Sequence, residues 1–482
     1  MGHEGRLFIG GEWSAPSAGG VVDVVSPATE ETIGQAPMAG PDDVDRAVAA
    51  ARTAIDQGPW PHLDPAERID AVRQLAALYG ARRREMAQLI TAEMGASISF
   101  SKLAQATLPW AMLGAFADMA ATHDWEETRS GYYGQDVLLR KEPAGVVAAV
   151  VPWNMPQFLI VGKLAPALLA GCAVVVKAAP ETPLDALLLA ELIDEVGLPP
   201  GVVSILPGDR DAGAHLVAHP GVDKVSFTGS TAAGRLVAAA CAAGLKRVSL
   251  ELGGKSAAVV LDDADPAAVA AGVRLAGLMN SGQACVAQTR VLVPAARQAE
   301  MVEALAAMVD ELAVGDPTDP ATEIGPLVAP RQQERVRGYV ALGEKEGARL
   351  VRGGTDLPAG VDRGWYVRPT LFAEADNGMR VAREEIFGPV LTVIPYDGED
   401  EAVRLADDSE YGPSGSVWTA DVDRGLAVAR RVRTGSFGVN QPYSMDPAAP
   451  FGGVKASGVG RELGREGLDE YLEIKAISVA PG

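Results

Sequence analysis

The middle of the chain alternates between short apolar runs and segments with helical spacing. Five apolar runs predict buried strands, at 146–151, 172–177, 202–206, 223–227 and 247–250. Predicted helices separate them, at 156–170, 182–196, 211–218 and 232–243. Strands and helices that alternate at this spacing indicate right-handed βαβ units and a parallel sheet. We therefore expect an α/β fold with a doubly wound, Rossmann-like sheet and ligands at the carboxyl ends of its strands.

The pattern continues on both sides of this region. A second α/β segment follows, with predicted strands at 259–261, 289–293, 367–371, 390–396 and 417–419 and predicted helices at 265–279, 299–313 and 331–346. Before it, residues 5–36 are β-rich, and helices are predicted from 41, from 64, over 85–93 and over 101–122. The alternating stretch 132–141 predicts an extended hairpin or arm, and the tail 471–479 predicts an edge strand that pairs outside its own domain.

Composition narrows the function classes. The 482 residues include 42 Lys and Arg against 63 Asp and Glu, a net charge of −21, which argues against nucleic-acid or anionic-membrane partners. Three cysteines do not form a disulfide framework and favour a reducing compartment. The N-terminus has no signal-peptide pattern and no apolar run spans a bilayer, so we expect a cytoplasmic protein. We expect no metal site, since the pair His215 and His219 is more typical of a helix end.

The loop 280–285 contains the candidate nucleophile. Gly282 permits a turn that a Cβ would obstruct, and polar Asn280, Ser281 and Gln283 favour a loop over a core strand. Such surroundings can present the Cys285 thiol to a cleft, so we interpret Cys285 as a covalent catalyst. Cys172 and Cys241, on a buried strand and a helix, are interpreted as small hydrophobes.

Four further positions lie at predicted strand ends, and each has a structural alternative. The turn 227–234, FTGSTAAG, opens a helix and could bind phosphate or be only a tight turn. Lys177 could contact a ribose or snorkel at the sheet edge. Glu251 could be a general base, a helix cap or an ion-pair partner of Lys255. Asn154, between two prolines, could stabilise an oxyanion or be a turn residue.

Together the strings PWNMP, FTGSTAAG, ELGGK, NSGQAC, EEIFGPV and PFGGVKASGVGRE resemble the aldehyde dehydrogenase superfamily in order and spacing. The resemblance covers the chain from about residue 7 to the tail. It implies an NAD(P)-binding domain over 1–122 and 143–252, a catalytic domain over 253–448, and an oligomerisation arm over 123–142 and 466–482. It also implies a homodimer or homotetramer that oxidises a small-molecule aldehyde to the carboxylic acid.

The resemblance assigns roles to individual residues. The catalytic thiol, the general base and the oxyanion amide correspond to Cys285, Glu251 and Asn154. The implied cofactor contacts are Trp153, Lys177, Gly229, Ser230, Gly253, Glu385 and Phe387. The implied substrate pocket contains Met155, Phe158, Val286 and Met445, together with Gly162 and Ala284.

In the chemistry that the resemblance implies, Cys285 adds to the aldehyde and hydride transfer to the nicotinamide leaves a thioester. Glu251 then activates water for hydrolysis.

One departure concerns the cofactor. Many NAD-preferring members have glutamate three positions after the strand lysine, where this chain has Pro180, so that carboxylate is missing or displaced to Glu181. No added basic residue is available for a 2′-phosphate, so we expect NAD, with NADP possible. The small, unbranched pocket residues suggest an open apolar tunnel. Asp446 near its mouth could favour a cationic substrate, or it could be only a solvated carboxylate on a loop.

Three other functions compete with aldehyde oxidation to the acid. In a coenzyme A-acylating enzyme a thiol would take the acyl group, but such enzymes usually lack a base equivalent to Glu251. A non-catalytic scaffold would not need the complete set of catalytic residues. A cysteine hydrolase is disfavoured because no histidine lies near these motifs.

Overall fold

The computed structural model describes residues 3, 5–17, 20–443 and 445–478. It is an α/β protein with two large, mostly parallel sheets, which confirms the predicted fold class. Residues 1, 2, 4, 18, 19, 444 and 479–482 of the predicted domains, including the last residue of the predicted tail strand, lie outside the described residues. Among the described residues, no helix is both long and apolar enough to cross a membrane.

The first sheet has eight strands. In spatial order they are Gly458–Val459, Arg247–Glu251, Lys224–Thr228, Val146–Val150, Ala173–Ala178, Val203–Pro207, Leu7–Ile9 and Glu12–Ser14. The five strands between 146 and 251 are parallel, as predicted. The chain runs from Val146–Val150 toward one edge and returns at Lys224–Thr228 on its other side. The carboxyl ends of these two strands therefore form the switch point at which such sheets bind ligands.

Seven α-helices of eight or more residues pack around this sheet: Pro41–Asp56, Pro65–Met94, Leu108–Ala121, Pro156–Ala170, Leu184–Val196, Arg210–Ala218 and Thr231–Ala243. The predicted separate helix over 85–93 was wrong, because one helix runs without a break from a capping box at Asp64 to Gly95. Gly80 lies inside it. A Cβ there would be 2.8 Å from the Trp110 indole, so glycine serves helix packing at this position and does not end the helix.

The predicted helix over 101–122 is in two parts. Ser101–Thr107 is π-helical, and Leu108–Ala121 is α-helical with Pro109 in its first turn. Short helical turns occur at Trp60–His62 and Ile98–Phe100.

The second sheet has seven strands, which include all five predicted in this region. In spatial order they are Arg349–Arg352, Thr370–Ala373, Val390–Tyr396, Arg290–Pro294, Ala257–Val260, Gly415–Trp418 and Gly438–Val439. Its helices are Pro266–Leu278, Gln298–Asp310, Pro330–Glu346, Arg380–Arg383, Glu399–Asp407 and Val422–Arg431. Helical turns at Met279–Gly282 and Ala295–Arg297 complete this part. The turn Lys455–Ser457 and the short helix Gly464–Asp469 belong to the first part, where Gly464–Asp469 contacts the helices Leu108–Ala121 and Pro156–Ala170.

Two small sheets are separate from the large ones. Val21–Val25 pairs with Thr32–Pro37. The predicted arm consists of Glu126–Ser130 and Asp136–Pro143, and the tail strand Leu472–Ser478 pairs with the second of these along its whole length. The tail therefore joins the arm and leaves its own edge open.

Candidate active site

The loop that carries Cys285 has an unusual backbone. Asn280, Ser281 and Gly282 are consecutive residues in the left-handed region, with φ of 53°, 56° and 74°. A Cβ at Gly282 would be 2.1 Å from the carbonyl oxygen of Gly388, so this position requires glycine. The strain of two non-glycine residues in this conformation must be balanced by the surrounding contacts.

Buried polar side chains supply those contacts. Asn280 Nδ2 donates to the carbonyl oxygen of Asn154 at 2.8 Å, and Ser281 Oγ donates to that of Gly325 at 2.9 Å. Gln283 Oε1 accepts from the Val328 N–H at 3.1 Å. These polar residues form a loop, as predicted, but all three are buried and hold its shape.

Cys285 is half-buried and lines a cavity of about 290 Å³. Burial, with smaller contributions from the negative charges of Glu385 and Glu251, raises the pKa of the Cys285 thiol to about 12. The thiol is therefore protonated at neutral pH unless a nearby positive charge or a base changes this balance. Cys172 and Cys241 are buried, which agrees with their interpretation as small hydrophobes.

Asn154 lies in the turn between the strand Val146–Val150 and the helix Pro156–Ala170, and its side chain is buried beside Cys285. Its Nδ2 donates to the Gln283 carbonyl oxygen at 3.0 Å. An amide nitrogen has two N–H donors. The second donor remains for a ligand in the cavity that Asn154 lines.

Glu251 ends the strand Arg247–Glu251, and its side chain is only 3% exposed. Its Oε1 has no hydrogen-bond partner among the described residues. A Cβ at Gly452 would be 2.8 Å from this oxygen, so glycine makes room for the carboxyl group. Burial and the nearby Glu462 raise the pKa of Glu251 well above its ordinary value.

A buried polar chain continues behind Glu251. Lys163 forms an ion pair with Glu462 and donates to Thr228 Oγ1 at 2.8 Å. The alternative ion pair between Glu251 and Lys255 does not form within the described part of the chain, where Lys255 Nζ is unpartnered. Burial, with the positive charge of Arg290, lowers the pKa of Lys255 to about 7.

Glu385 lies across the cavity. Its Oε1 accepts from the Gly254 N–H at 2.9 Å, and a Cβ at Gly253 would be 2.6 Å from its other oxygen. Burial raises the pKa of Glu385 to about 7. Phe387, with φ of 63°, meets the Trp153 ring edge to face at 5.4 Å between centroids.

The predicted phosphate turn opens into the same cavity. Ser230 caps the 13-residue helix Thr231–Ala243 by accepting from the Ala233 N–H at 3.2 Å, and the Gly229 N–H donates to the Glu251 carbonyl oxygen at 3.0 Å. The N-terminus of this helix can thus bind an anion.

Lys177 is separate from this cavity. It ends the strand Ala173–Ala178, is 8% exposed, and donates to the Gly208 carbonyl oxygen at 3.3 Å. Burial lowers the pKa of Lys177. Glu181, the displaced carboxylate, forms an ion pair with Arg331, and neither residue lines the cavity.

The predicted substrate residues Met155, Phe158, Val286 and Met445 line the cavity, as does Ala284. Gly162 does not line the cavity, because a Cβ at this position would face Met112. Asp446 does not line it either, and its side chain is exposed.

Thr228, Leu252 and Phe451, which lie in the motifs singled out from the sequence, also line the cavity, whereas sequence reasoning missed Leu159, Gln332, Arg335 and Tyr443. Gln332 and Arg335 could have been found from their i, i+3 spacing on a predicted helix. Phe451 lies in a glycine–aromatic loop that, from sequence alone, could equally be a turn that closes a domain. No motif or periodicity near Tyr443 indicates that it lies at a cavity.

Comparisons with known proteins agree along the whole chain. A profile described as the aldehyde dehydrogenase family matches residues 13–477. The chain is 47% identical over 472 residues to geranial dehydrogenase of Castellaniella defragrans, and the match covers 98% of each protein. It is 44% identical to 3-succinoylsemialdehyde-pyridine dehydrogenase of a Pseudomonas species, again over 98% of each.

Two solved structures are similar throughout. An aldehyde dehydrogenase of Mycobacterium tuberculosis in complex with NAD+ superposes with a TM-score of 0.97 at 47% identity and covers 99% of this chain and 98% of its own. A mutant of aldehyde dehydrogenase C of Pseudomonas syringae, with NAD+ and octanal, gives a TM-score of 0.95 at 42% identity and covers 99% and 97%.

Proposed function

The chain belongs to the aldehyde dehydrogenase family, and on that premise we propose that it oxidises an aldehyde to the carboxylic acid with NAD, using Cys285 as nucleophile and Glu251 as general base. The coenzyme A-acylating alternative has no structural support, because the buried carboxyl group of Glu251 is present at the site.

The residues around the cavity fit NAD. The helix N-terminus at Ser230 suits a pyrophosphate, and Gly229 and Gly253 line the cavity without a side chain. The Glu385 carboxyl group can accept from ribose hydroxyls, and Trp153 and Phe387 offer aromatic walls for a ring. Lys177, at the end of the neighbouring strand, would serve the distant ribose. When bound, NAD accepts the hydride that the substrate carbon loses.

Cys285 and Asn154 prepare the carbonyl group for that loss. The thiol gives up its proton to water, its sulfur bonds to the aldehyde carbon, and the electron pair of the C=O π bond moves to the carbonyl oxygen, which becomes an oxyanion. Asn154 Nδ2–H and a backbone N–H at Cys285 are the donors for this oxyanion, each worth about 3 kcal/mol in other enzymes. Because the Gln283 carbonyl oxygen fixes the Asn154 amide, the donor is oriented before substrate arrives.

Glu251 discharges the thioester. Its Oε1 is unpartnered among the described residues and borders the cavity, so it can accept a proton from water. The raised pKa makes Glu251 a stronger base than a surface carboxylate. Lys163, Glu462 and Thr228 form a buried polar chain next to it that can stabilise either protonation state.

The observation that carries the proposal is that Asn154, Glu251 and Cys285 line one cavity together with Glu385 and the anion-binding turn. The test is NADH formation by the purified protein with a panel of aldehydes, with NAD and with NADP. We expect turnover with NAD that is lost in Cys285→Ala, while both proteins bind NAD in calorimetry. Failure of every aldehyde to reduce either cofactor would refute the proposal.

We also propose a homodimer or homotetramer. The tail strand Leu472–Ser478 is the edge of the arm sheet and carries Ile474, 66% exposed, and Ile477, 36% exposed. An open edge with apolar side chains favours pairing with another chain. Light scattering should give a mass of two or four chains, and a monomer at micromolar concentration would contradict this.

A further inference from the structure

The part of the cavity not assigned to the cofactor or to catalysis is apolar. Six of its side chains are Met155, Phe158, Leu159, Val286, Met445 and Phe451. They come from three separate segments, the start of the helix Pro156–Ala170, the residue after Cys285, and the loop before Gly452. None of these six side chains has a nitrogen or oxygen atom, so they offer no partner to a polar or charged substituent.

The charged residues that line the cavity belong to the cofactor site or to catalysis. They are Glu251, Glu385 and Arg335. The Arg335 guanidinium donates to the backbone oxygens of Glu385 and Ile386 and packs over the Tyr339 ring, on the cofactor side. Among the described residues that line the cavity, a substrate carboxylate therefore finds no free cation, and a substrate cation finds no carboxylate other than those of the cofactor site and the general base.

Tyr443 completes this wall. It is 8% exposed, and its ring lies 6.1 Å from the Phe451 ring, between centroids. Its hydroxyl group makes no hydrogen bond with any residue that the structure describes. Tyr443 lines the same cavity as Cys285 and Glu251, and burial together with the charges of these two groups raises the pKa of the Tyr443 hydroxyl.

We infer that the enzyme takes apolar aldehydes, with a hydrocarbon chain in place of an acidic or cationic group, and that Tyr443 is a specificity-determining residue whose ring packs on that chain. The inference rests on the proposed function, because it concerns the same cavity. Each methylene group that enters such a wall should raise kcat/KM about 3- to 4-fold until the cavity is full. A substrate with a charged group at the end of its chain would lose the hydration of that group without gaining a hydrogen-bond or ion-pair partner in the wall.

The first experiment measures kcat/KM with NAD for straight-chain aldehydes from propanal to decanal, and for betaine aldehyde and succinic semialdehyde as charged probes. We expect a rising series, with both charged probes at least about 100-fold below hexanal, a difference of a few kcal/mol that matches an unpaired charge. A flat series, or a charged probe that equals hexanal, overturns the inference but leaves the proposed function intact. Absence of NADH with every aldehyde would instead refute the proposed function.

The second experiment isolates Tyr443. In Tyr443→Ala, decanal should lose at least about 10-fold in kcat/KM while propanal changes less than about 2-fold, so the chain-length series flattens. In Tyr443→Phe, the series should persist, because the ring remains. Tyr366→Phe is the control, since Tyr366 donates its hydroxyl to the Gly315 carbonyl oxygen away from the cavity.

Two results would overturn the role of Tyr443. An equal loss with propanal and decanal would mean that Tyr443 acts on the reaction and not on the chain. An unchanged series in the alanine variant would mean that the ring does not contact substrate. Should the alanine variant fail to fold by circular dichroism, Tyr443→Leu, which keeps an apolar wall of different shape, must shift the optimum chain length, and an unchanged optimum overturns the role.

Discussion

The Asn154 side chain donates to the Gln283 carbonyl oxygen at 3.0 Å and so joins the switch-point turn of the first sheet to the loop of Cys285. In return, Asn280 Nδ2 donates to the Asn154 carbonyl oxygen at 2.8 Å. These reciprocal bonds fix the Asn154 amide and the Cys285 loop relative to each other, although they are more than a hundred residues apart in sequence.

Asn154→Ala should therefore lower kcat by about 100- to 1,000-fold, the usual loss for one oxyanion donor, with little change in NAD affinity. Steady-state kinetics and NAD calorimetry measure the two effects. To separate chemistry from a disturbed loop, the rate at which iodoacetamide alkylates Cys285 should stay within about 3-fold of wild type. Normal turnover in the variant would remove Asn154 from the oxyanion role.

Glu251→Gln should retain a single-turnover burst of NADH and lose about 100- to 10,000-fold in steady-state rate, because thioester hydrolysis lacks its base. Rapid mixing with absorbance detection resolves the burst. Glu303→Gln, an exposed change on the helix Gln298–Asp310, is the matched control. Loss of both the burst and the steady-state rate would mean that Glu251 acts before the thioester forms.

The pH profile gives a second test of Glu251. Burial and Glu462 raise its pKa, so its basic form grows as pH rises through that raised value, and hydrolysis should accelerate in the same direction. The rising limb should begin above the usual range of carboxyl groups. A rate that is already constant from pH 5 to 7 would contradict this assignment.

Alkylation of Cys285 should accelerate about 10-fold per pH unit without a plateau below pH 10, because only the thiolate reacts and the Cys285 pKa is about 12. In Glu385→Gln, the rate above about pH 7 should rise, since the Glu385 carboxyl group is ionised there and its charge raises the Cys285 pKa. Peptide mass spectrometry identifies the labelled cysteine, and Cys172 and Cys241 serve as buried internal controls. A plateau near pH 8 would show an already activated thiol.

The strand-end motifs were predictable from sequence because a parallel sheet places the carboxyl ends of neighbouring strands at the same edge. Asn154, Ser230 and Glu251 follow three neighbouring strands whose carboxyl ends share one edge, so the positions of strands in the sequence suffice to bring them together. The Cys285 loop was predictable as a loop from its glycine and polar residues, but not as a buried one, since burial depends on partners such as Gly325 and Val328.

Other features depend on packing that has no local sequence pattern. The helix Pro65–Met94 continues through Gly80, where the Trp110 indole leaves no room for a Cβ. Tyr443 lies in an irregular segment after Gly438–Val439, so neither periodicity nor a motif places it at the cavity. The domain boundaries stay predictions, and so do the residue roles, which substitutions at Asn154, Glu251, Cys285 and Gly253 test.

Gly253→Ala should weaken NAD binding about 10-fold or more, because its Cβ would lie 2.6 Å from a Glu385 carboxylate oxygen and displace it. Calorimetry measures the affinity. Gly338→Ala is the control, since Gly338 lies on the exposed side of the helix Pro330–Glu346 and a Cβ there meets no atom within 4 Å. Equal NAD affinity in the two variants would exclude Glu385 from cofactor binding.

A buried pair of carboxyl groups, away from the cavity, should make stability depend on pH. Glu93 accepts from the N–H groups of Leu184 and Asp185, its carboxyl group contacts that of Asp185, and Gln157 Nε2 donates to Asp185 Oδ2 at 2.6 Å. Burial raises the pKa of Asp185 to about 6 and that of Glu93 well above its ordinary value. Two adjacent buried carboxyl groups must share a proton to avoid two charges.

The sign follows from the raised pKa. The protonated form of Asp185 is favoured in the folded protein, so its contribution to stability is complete below the unfolded pKa of about 4 and is lost as pH rises through about 6. The side chain in Asp185→Asn cannot ionise. The thermal unfolding midpoint of this variant, relative to that of wild type, should therefore increase as the pH rises from 4.5 to 7.5. This increase should correspond to a few kcal/mol in the free energy of unfolding, since each unit of pKa difference between the folded and unfolded states is worth about 1.4 kcal/mol. Asp356→Asn, at an exposed position, is the control, and a midpoint difference that is independent of pH would show that the pair does not titrate in this range.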